Sequence, residues 1–282
     1  MNITKYNWKS FDKLNIYAQL FSNNNKPKAI INLIHGIGEH SSRYQQWAEY
    51  FIKHDFFILT FDLRGHGKSE GKRGFIPNYE AILKDIDLLI NKSNEMFPDV
   101  PKLIYGHSLG GNFVLNYILS RTNKQLYGVI VTSPWIKLAF EPPKFQISLG
   151  KIIKKIIPGF IQNTNLKVED ISRDKNVVEK YKTDKLVHKK ISIQLFFDAY
   201  NKGLFALENA GKIHYKTLLM HGTGDNITSH KASKELSEKN IQKISFKLWD
   251  NCFHELHNEP NKDEIADFII TWINQQLINN EF

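Results

Sequence analysis

From residue 15 onward, short runs rich in β-branched and aromatic residues alternate with stretches of helical periodicity. The strand-like runs are 15–21, 29–35, 56–61, 102–105, 128–132, 217–220 and 244–249, and several are almost continuously apolar, as strands covered on both faces must be. Between them, 44–54, 79–97, 110–119, 231–237 and 264–277 carry helical patterns. In the second of these, Ile82, Ile86, Leu89, Ile90 and Ser93 recur at three- and four-residue spacings, with Lys84, Asp85 and Asp87 interposed. Such alternation predicts the α/β class, with a mostly parallel central sheet flanked by helices. A chain of 282 residues then suits one large domain carrying an insertion.

The alternation breaks between residues 134 and 205, a segment that includes Pro142-Pro143 and Pro158-Gly159 and reads as short helices. Lying between the strands at 128–132 and 217–220, it would hang over the carboxyl edge of the sheet, where open α/β folds bind ligands. The expectation is a core of residues 1–133 and 206–282 with a helical lid at 134–205.

The sharpest motif is Gly106-His107-Ser108-Leu109-Gly110, with a strand running into it and a helix running out. That placement identifies a nucleophile elbow, in which small flanking residues permit the tight turn that lifts a serine hydroxyl above the sheet. A serine hydroxyl is a weak nucleophile near pH 7 and needs a base, which in turn needs an orienting acid. In this architecture the order is Ser, then Asp or Glu, then His, each in a loop after a strand. Asp225, in His221-Gly222-Thr223-Gly224-Asp225, and His254, in Asp250-Asn251-Cys252-Phe253-His254, satisfy both order and position. Asp250 is the rival acid and His257 the rival base; His257 is expected inside the last helix, one turn too far along. The backbone N–H groups of Ile37 and Leu109 are the expected oxyanion hole, since Ile37 lies between Gly36 and Gly38 directly after a strand and Leu109 follows the nucleophile. His254-Glu255-Leu256-His257 places its second His three residues on, whereas the zinc motif H-E-x-x-H needs four, so no metal follows from it.

With these residues in place, the chain resembles the monoacylglycerol lipase and lysophospholipase branch of the α/β-hydrolase superfamily. The resemblance runs nearly end to end. It is carried by His35-Gly-Ile-Gly-Glu-His40, Asp62-Leu-Arg-Gly-His-Gly-Lys-Ser-Glu-Gly71, Gly106-His-Ser-Leu-Gly-Gly111, Ser133-Pro134, Ile171-Ser-Arg-Asp174, Leu186-Val-His188 and His254-Glu-Leu-His-Asn-Glu259. It implies an α/β-hydrolase fold, a Ser108/Asp225/His254 triad, an Ile37/Leu109 oxyanion hole, no cofactor, and a lipid ester held under a helical lid. One departure is Lys185, where relatives usually carry Pro before Leu-Val-His. A proline-iminopeptidase-like serine peptidase, a general small-ester carboxylesterase, and a binding protein on a hydrolase scaffold are the competing functions.

Charge refines the choice of partner. The chain has 38 basic and 29 acidic residues, a net of +9, yet only five of the basic residues are Arg, and no zinc-finger or RNA-binding signature accompanies them, which argues against nucleic acid. Residues 134–205 hold 14 of the basic and 7 of the acidic residues, so the excess is concentrated in the lid. There Phe145, Leu149, Ile152, Ile153, Ile156 and Ile157 fall at helical spacings with Lys151, Lys154 and Lys155 between them. Such a basic amphipathic helix predicts substrate contact and docking on an anionic membrane, the alternative being a lid helix that buries that face on its own core. The lone Cys252 excludes an internal disulfide, and no apolar run approaches the roughly 18 residues of a spanning helix. With a polar start at 1–13, the expected location is cytoplasmic, with the lid as a peripheral membrane contact.

Overall fold

The computed structural model describes residues 1–121, 126–141 and 143–279; Pro142 lies outside them. In chain order the strands are β1 (Asn2–Lys9), β2 (Asn15–Ser22), β3 (Ala29–Ile34), β4 (Phe56–Phe61), β5 (Lys102–His107), β6 (Gly128–Thr132), β7 (Ile161–Asn163), β8 (Lys190–Ser192), β9 (Thr217–Gly222) and β10 (Ile244–Trp249). The helices are α1 (Gln45–Ile52), α2 (Tyr79–Met96), α3 (Leu109–Ser120), α4 (Lys144–Ile156), α5 (Lys175–Thr183), α6 (Ile193–Glu208), α7 (His230–Glu238) and α8 (Lys262–Asn279). The main sheet has the order β1-β2-β4-β3-β5-β6-β9-β10. The strands from β4 to β10 run parallel, and β1 and β2 are added antiparallel at one edge. Every residue of β3, β4, β5, β6 and β9 is buried, which is why these segments read as unbroken apolar runs. Helices close both faces: along β6, Gly128 meets Trp272 of α8, whereas Val131, on the opposite side, meets Gly111 of α3.

Two features depart from the expectation. The polar start of the chain forms β1, in register with β2 from Asn2 opposite Ser22 to Lys9 opposite Asn15. It is an edge strand with most side chains in water, so Trp8 is its one buried residue and no apolar run marks it. The segment between β6 and β9 holds not only helices but a two-stranded antiparallel hairpin, Ile161 opposite Ser192 to Asn163 opposite Lys190. Three-residue strands are too short to show a period.

Topology places the site. From β3 the chain forms β4 on one side and then crosses to β5 on the other, so a crevice opens beyond the carboxyl ends of β3 and β5. Ile34 pairs with Gly106, which brings His35-Gly36-Ile37 alongside His107-Ser108. At this junction α3 presses its first turn onto β3. A Cβ on Gly110 would sit 2.2 Å from the Ile34 carbonyl oxygen and 2.5 Å from that of His35. Neither is a side chain that can swing aside. Gly110→Ala should therefore lower the urea midpoint by the equivalent of about 2–3 kcal/mol, the upper range for overpacking. Gly211→Ala, where a Cβ meets only the Lys239 carbonyl at 3.8 Å, should leave it within error. An unchanged midpoint for Gly110→Ala would contradict the close seating of α3 on β3.

Candidate active site

Ser108 sits between β5 and α3 with φ 55° and ψ −118°, a backbone region that costs a non-glycine residue on the order of 1–3 kcal/mol. The surroundings hold it there. Its N–H donates to the Thr132 carbonyl at 3.0 Å, and its carbonyl accepts from Asn112 N–H at 3.0 Å and Trp135 N–H at 3.0 Å. Gly106 completes the turn, since a Cβ there would lie 2.5 Å from the Gly110 carbonyl oxygen.

The strained turn brings Ser108 Oγ to 2.8 Å from His254 Nε2, and His254 Nδ1 lies 2.7 Å from Asp225 Oδ2. All three residues are buried. Asp225 can only accept, so His254 carries its proton on Nδ1 and leaves Nε2 to take one from Ser108. The end of β9 and the loop after it hold Asp225 by donating hydrogen bonds to its carboxylate: Oδ1 accepts from Ile227 N–H at 2.8 Å and Thr228 N–H at 3.0 Å, and Oδ2 accepts from the Thr228 hydroxyl at 2.8 Å and His221 Nε2–H at 2.9 Å. Burial alone would raise the Asp225 pKa, but the charge of His254 and the hydrogen bond from His221 outweigh it and hold the carboxyl well below its usual range. Burial would likewise lower the His254 pKa, but Asp225 outweighs it, so the imidazole titrates above its ordinary value of 6.5.

Beside the elbow, the turn after β3 is set by two side chains. Burial holds His35 near pKa 4, so it is neutral; Nδ1–H donates to the Gly36 carbonyl at 2.8 Å while Nε2 accepts from Leu63 N–H at 2.9 Å. Glu39 Oε1 accepts from Gly36 N–H at 2.6 Å and from the Tyr44 hydroxyl at 2.9 Å. With Gly36 N–H committed to Glu39, Ile37 faces the cavity above Ser108. Leu109 opens α3, where first-turn N–H groups have no acceptor within the helix.

Behind Glu39 stands a buried group that motif and order did not flag. Arg43 Nη2 lies 2.5 Å from Glu255 Oε2, and Arg43 Nε lies 3.4 Å from Glu39 Oε2. Burial and the neighbouring Glu255 push Glu39 up to about 7. For Glu255, the burial penalty is outweighed by Arg43, which holds it below the usual range. Glu39, Glu255 and His257 bring ligand-type atoms within 4.8 Å of one another, and Arg43 supplies the cation among them. The one hint in the sequence was Glu39 and Arg43 at i, i+4 spacing. His221 and Thr228 were equally unmarked, because their role rests on contacts across the fold.

The rival residues lie elsewhere. Asp250 is exposed and accepts from the Thr223 hydroxyl at 3.2 Å. His257 is not in the last helix but in a short 3-10 turn (Leu256–Asn258), buried and stacked 4.4 Å from the Tyr44 ring. His188 N–H donates to the Gly38 carbonyl at 2.9 Å and its Nε2–H to the Gly65 carbonyl at 3.1 Å, tying the inserted segment to the core. At Lys185 the turn forms without a proline, closed by the Asp184 carboxylate accepting from Leu186 N–H at 2.8 Å.

The inserted segment closes the site. Leu166, Ile171 and Tyr181 complete the wall over Ser108, leaving a cavity of about 20 Å³, room for about one water molecule. Phe145, Leu149, Ile152, Ile153 and Ile156 do not line that cavity. Phe145, Leu149, Ile152 and Ile156 instead form an outward stripe along α4, exposed by 69%, 54%, 56% and 72%. Ile153 is half-buried, and α4 turns Gly150 onto Phe197 of α6. Lys154 pairs with Asp198 at 2.9 Å and Lys155 is exposed; the side chain of Lys151 lies outside those described.

Glu39 is thus a positioning residue for the turn beside Ser108. Glu39→Ala, leaving Gly36 N–H without its acceptor, should lower kcat about tenfold with little change in KM, a fraction of the 100- to 1,000-fold lost with an oxyanion donor. Glu39→Gln, whose amide oxygen can still accept, should restore most of it; equal losses in both would assign the effect to charge.

Comparison with known proteins places these residues in a wider set. Residues 25–261 match the family model described as serine aminopeptidase, S33. A putative monoglyceride lipase of Schizosaccharomyces pombe is 30% identical over 88% of this chain and 68% of its own length. An uncharacterised abhydrolase domain-containing protein of Dictyostelium discoideum is 36% identical over 95% of this chain, which spans only 28% of that longer protein. The crystal structure of the Paleococcus ferrophilus monoacylglycerol lipase superposes with a TM-score of 0.84 at 31% identity, covering 93% of this chain and 99% of that one. With the family model matched from β3 through β10, including the elbow and the inserted segment, the chain belongs to the serine aminopeptidase S33 family and has the α/β-hydrolase fold.

Proposed function

We propose that this protein is a serine hydrolase that cleaves carboxylic esters of lipids, monoacylglycerols in the first place, through an acyl-serine intermediate. The observation that carries this is the hydrogen-bonded chain Ser108 Oγ–His254 Nε2 at 2.8 Å and His254 Nδ1–Asp225 Oδ2 at 2.7 Å, at the floor of a cavity walled by Leu166 and Ile171. The relatives named as monoglyceride lipases support the choice of lipid ester.

In the first half-reaction, Ser108 Oγ attacks the ester carbonyl carbon as His254 Nε2 takes the hydroxyl proton. The developing oxyanion accepts from the N–H groups of Ile37 and Leu109. His254 then gives its proton to the leaving alkoxide, which departs as glycerol or another alcohol while the acyl-serine remains. In the second half, water loses a proton to His254, its oxygen attacks the acyl carbon, and the proton returns to Ser108 as the fatty acid leaves. Asp225 stays ionised throughout and stabilises the imidazolium. The reaction draws on these side chains, two backbone donors and water.

An aminopeptidase would need a free carboxylate to hold the substrate's amine. Glu39 and Glu255 do line the cavity, but both face Arg43, so their charge is already engaged. This favours an ester over a peptide with a free amino terminus.

Residues 134–205 act in this proposal as a lid that must open, since about 20 Å³ admits no acyl chain. Its outward stripe of Phe145, Leu149, Ile152 and Ile156 is the side that would meet a membrane, which is where a monoacylglycerol resides.

A fluorophosphonate probe should label the wild type and not Ser108→Ala. Among monoacylglycerol, lysophosphatidylcholine, p-nitrophenyl butyrate and a prolyl amide, the first should be turned over with the highest kcat/KM. Labelling that survives Ser108→Ala, or preference for the amide, would overturn the assignment. Because neutral His254 is the active form and its pKa is raised, kcat/KM should rise with pH through an apparent pKa above 6.5. For the lid, Ile152→Asp with Ile156→Asp should abolish co-sedimentation with anionic vesicles while probe labelling persists; unaltered sedimentation would remove α4 from the interface.

A further inference from the structure

A second cavity, of about 510 Å³, opens on the flank of the lid and away from Ser108. Its walls come from the core loop at Lys72 and Arg73, from the chain joining α4 to β7 (Ile157, Gly159, Phe160), from Ile161 at the start of β7, and from Lys190 at the start of β8. Three cations converge on it and no carboxylate lines it. Among the described residues none of the three has an ion-pair partner. Like charges gathered without a counter-charge repel one another, so such a site favours an anion.

The geometry is held by backbone contacts rather than left to loose surface side chains. Lys72 Nζ donates to the Gly159 carbonyl at 2.9 Å, and Ser192 N–H donates to the Gly74 carbonyl at 2.7 Å, which fixes the core loop against the hairpin. Arg73 Nη2 is spent on the Gly67 carbonyl at 2.6 Å, whereas its buried Nη1 has no acceptor. Lys72 keeps two further donors and Lys190 is exposed with all of its own. Two lysine ammonium groups beside the positive charge of Arg73 form a set that suits phosphate oxygens, with the lysines supplying the free donors.

We propose that this cavity binds the phosphate of an anionic phospholipid headgroup. The apolar wall decides between a lipid and free phosphate. Ile157 and Phe160, exposed by 56% and 46%, line the cavity with the cations, and Ile157 follows Ile156 directly in the chain. A headgroup held by Lys72, Arg73 and Lys190 would leave its glycerol and first methylenes on that surface, whereas inorganic phosphate has nothing to place there. The cavity would anchor the lid at the membrane surface from which, on the proposed function, the substrate comes. The lipid source rests on the proposed interfacial role of α4; the anion site itself does not.

The test uses the Ser108→Ala protein and dihexanoyl phosphatidylglycerol kept monomeric, followed by calorimetry. One site per chain is expected. Lys72→Gln with Lys190→Gln should weaken it about 25-fold, taking roughly fivefold for each lysine contact. Lys175→Gln with Lys180→Gln, the same charge change on exposed lysines of α5 outside the cavity, should leave it unchanged, and melting temperatures of both variants report intact folding. Absence of saturable binding, or equal affinity in the two double variants, overturns the site. Inorganic phosphate binding as tightly as the lipid overturns the lipid source. Ile152→Asp with Ile156→Asp separates the two proposals: loss of vesicle binding with monomer binding intact supports both, and vesicle binding that persists with monomer binding intact removes the interfacial role of α4 and the lipid source argued from it, while the anion site stands.

Discussion

The site depends on one crowded contact, where the turn at Ser108 and the first turn of α3 press onto the end of β3. Gly106 and Gly110 make the approach possible, because at either position a Cβ would fall within 2.5 Å of a backbone carbonyl oxygen. The strain at Ser108 persists because Thr132, Trp135 and Asn112 bond its backbone from three directions. The same closeness puts the loop after β3 beside Ser108, so Ile37 and Ser108 line one cavity.

Charge is handled in two different ways within a few ångströms. Asp225 is kept ionised by histidine and backbone donors, which suits a group that must stabilise an imidazolium without taking its proton. Glu39 and Glu255 are drawn together around one Arg43, and the pair splits, with Glu39 raised to about 7 and Glu255 lowered. The first arrangement acts on His254. The second stiffens the turn that carries Ile37.

The inserted segment also has two sides. Its inner side packs Leu166, Ile171 and Tyr181 together and is also hydrogen-bonded to the core: His188 N–H meets the Gly38 carbonyl at 2.9 Å, and Asp184 Oδ2 lies 2.8 Å from His40 Nε2. These contacts fall on the turn next to Ile37, so a movement of residues 181–188 bears directly on that turn. Its outer side is the unpaired apolar stripe of α4. An amphipathic helix usually turns such a face inward; here Gly150 and Lys154 take the inner positions, against Phe197 and Asp198, and Ile152 and Ile156 face out.

Local pattern was enough for the α/β class, the buried parallel strands, the elbow at Ser108 and the order Ser108, Asp225, His254. Each is written in neighbouring residues: unbroken apolar runs, two glycines around a serine, an acid and a histidine just past strand ends. The edge strand β1 and the β7–β8 hairpin were not legible, because both owe their hydrogen bonds to a partner strand rather than to a period of their own. Nor were His221 and Thr228 on Asp225, Arg43 between Glu39 and Glu255, or the convergence of Lys72, Arg73 and Lys190, whose members lie up to 118 positions apart. The helical spacing along α4 predicted an amphipathic helix, but which way its apolar face turned was decided only when Gly150 allowed α6 to close against the other side. Sequence determines what a segment can bury; packing in three dimensions determines what it does bury.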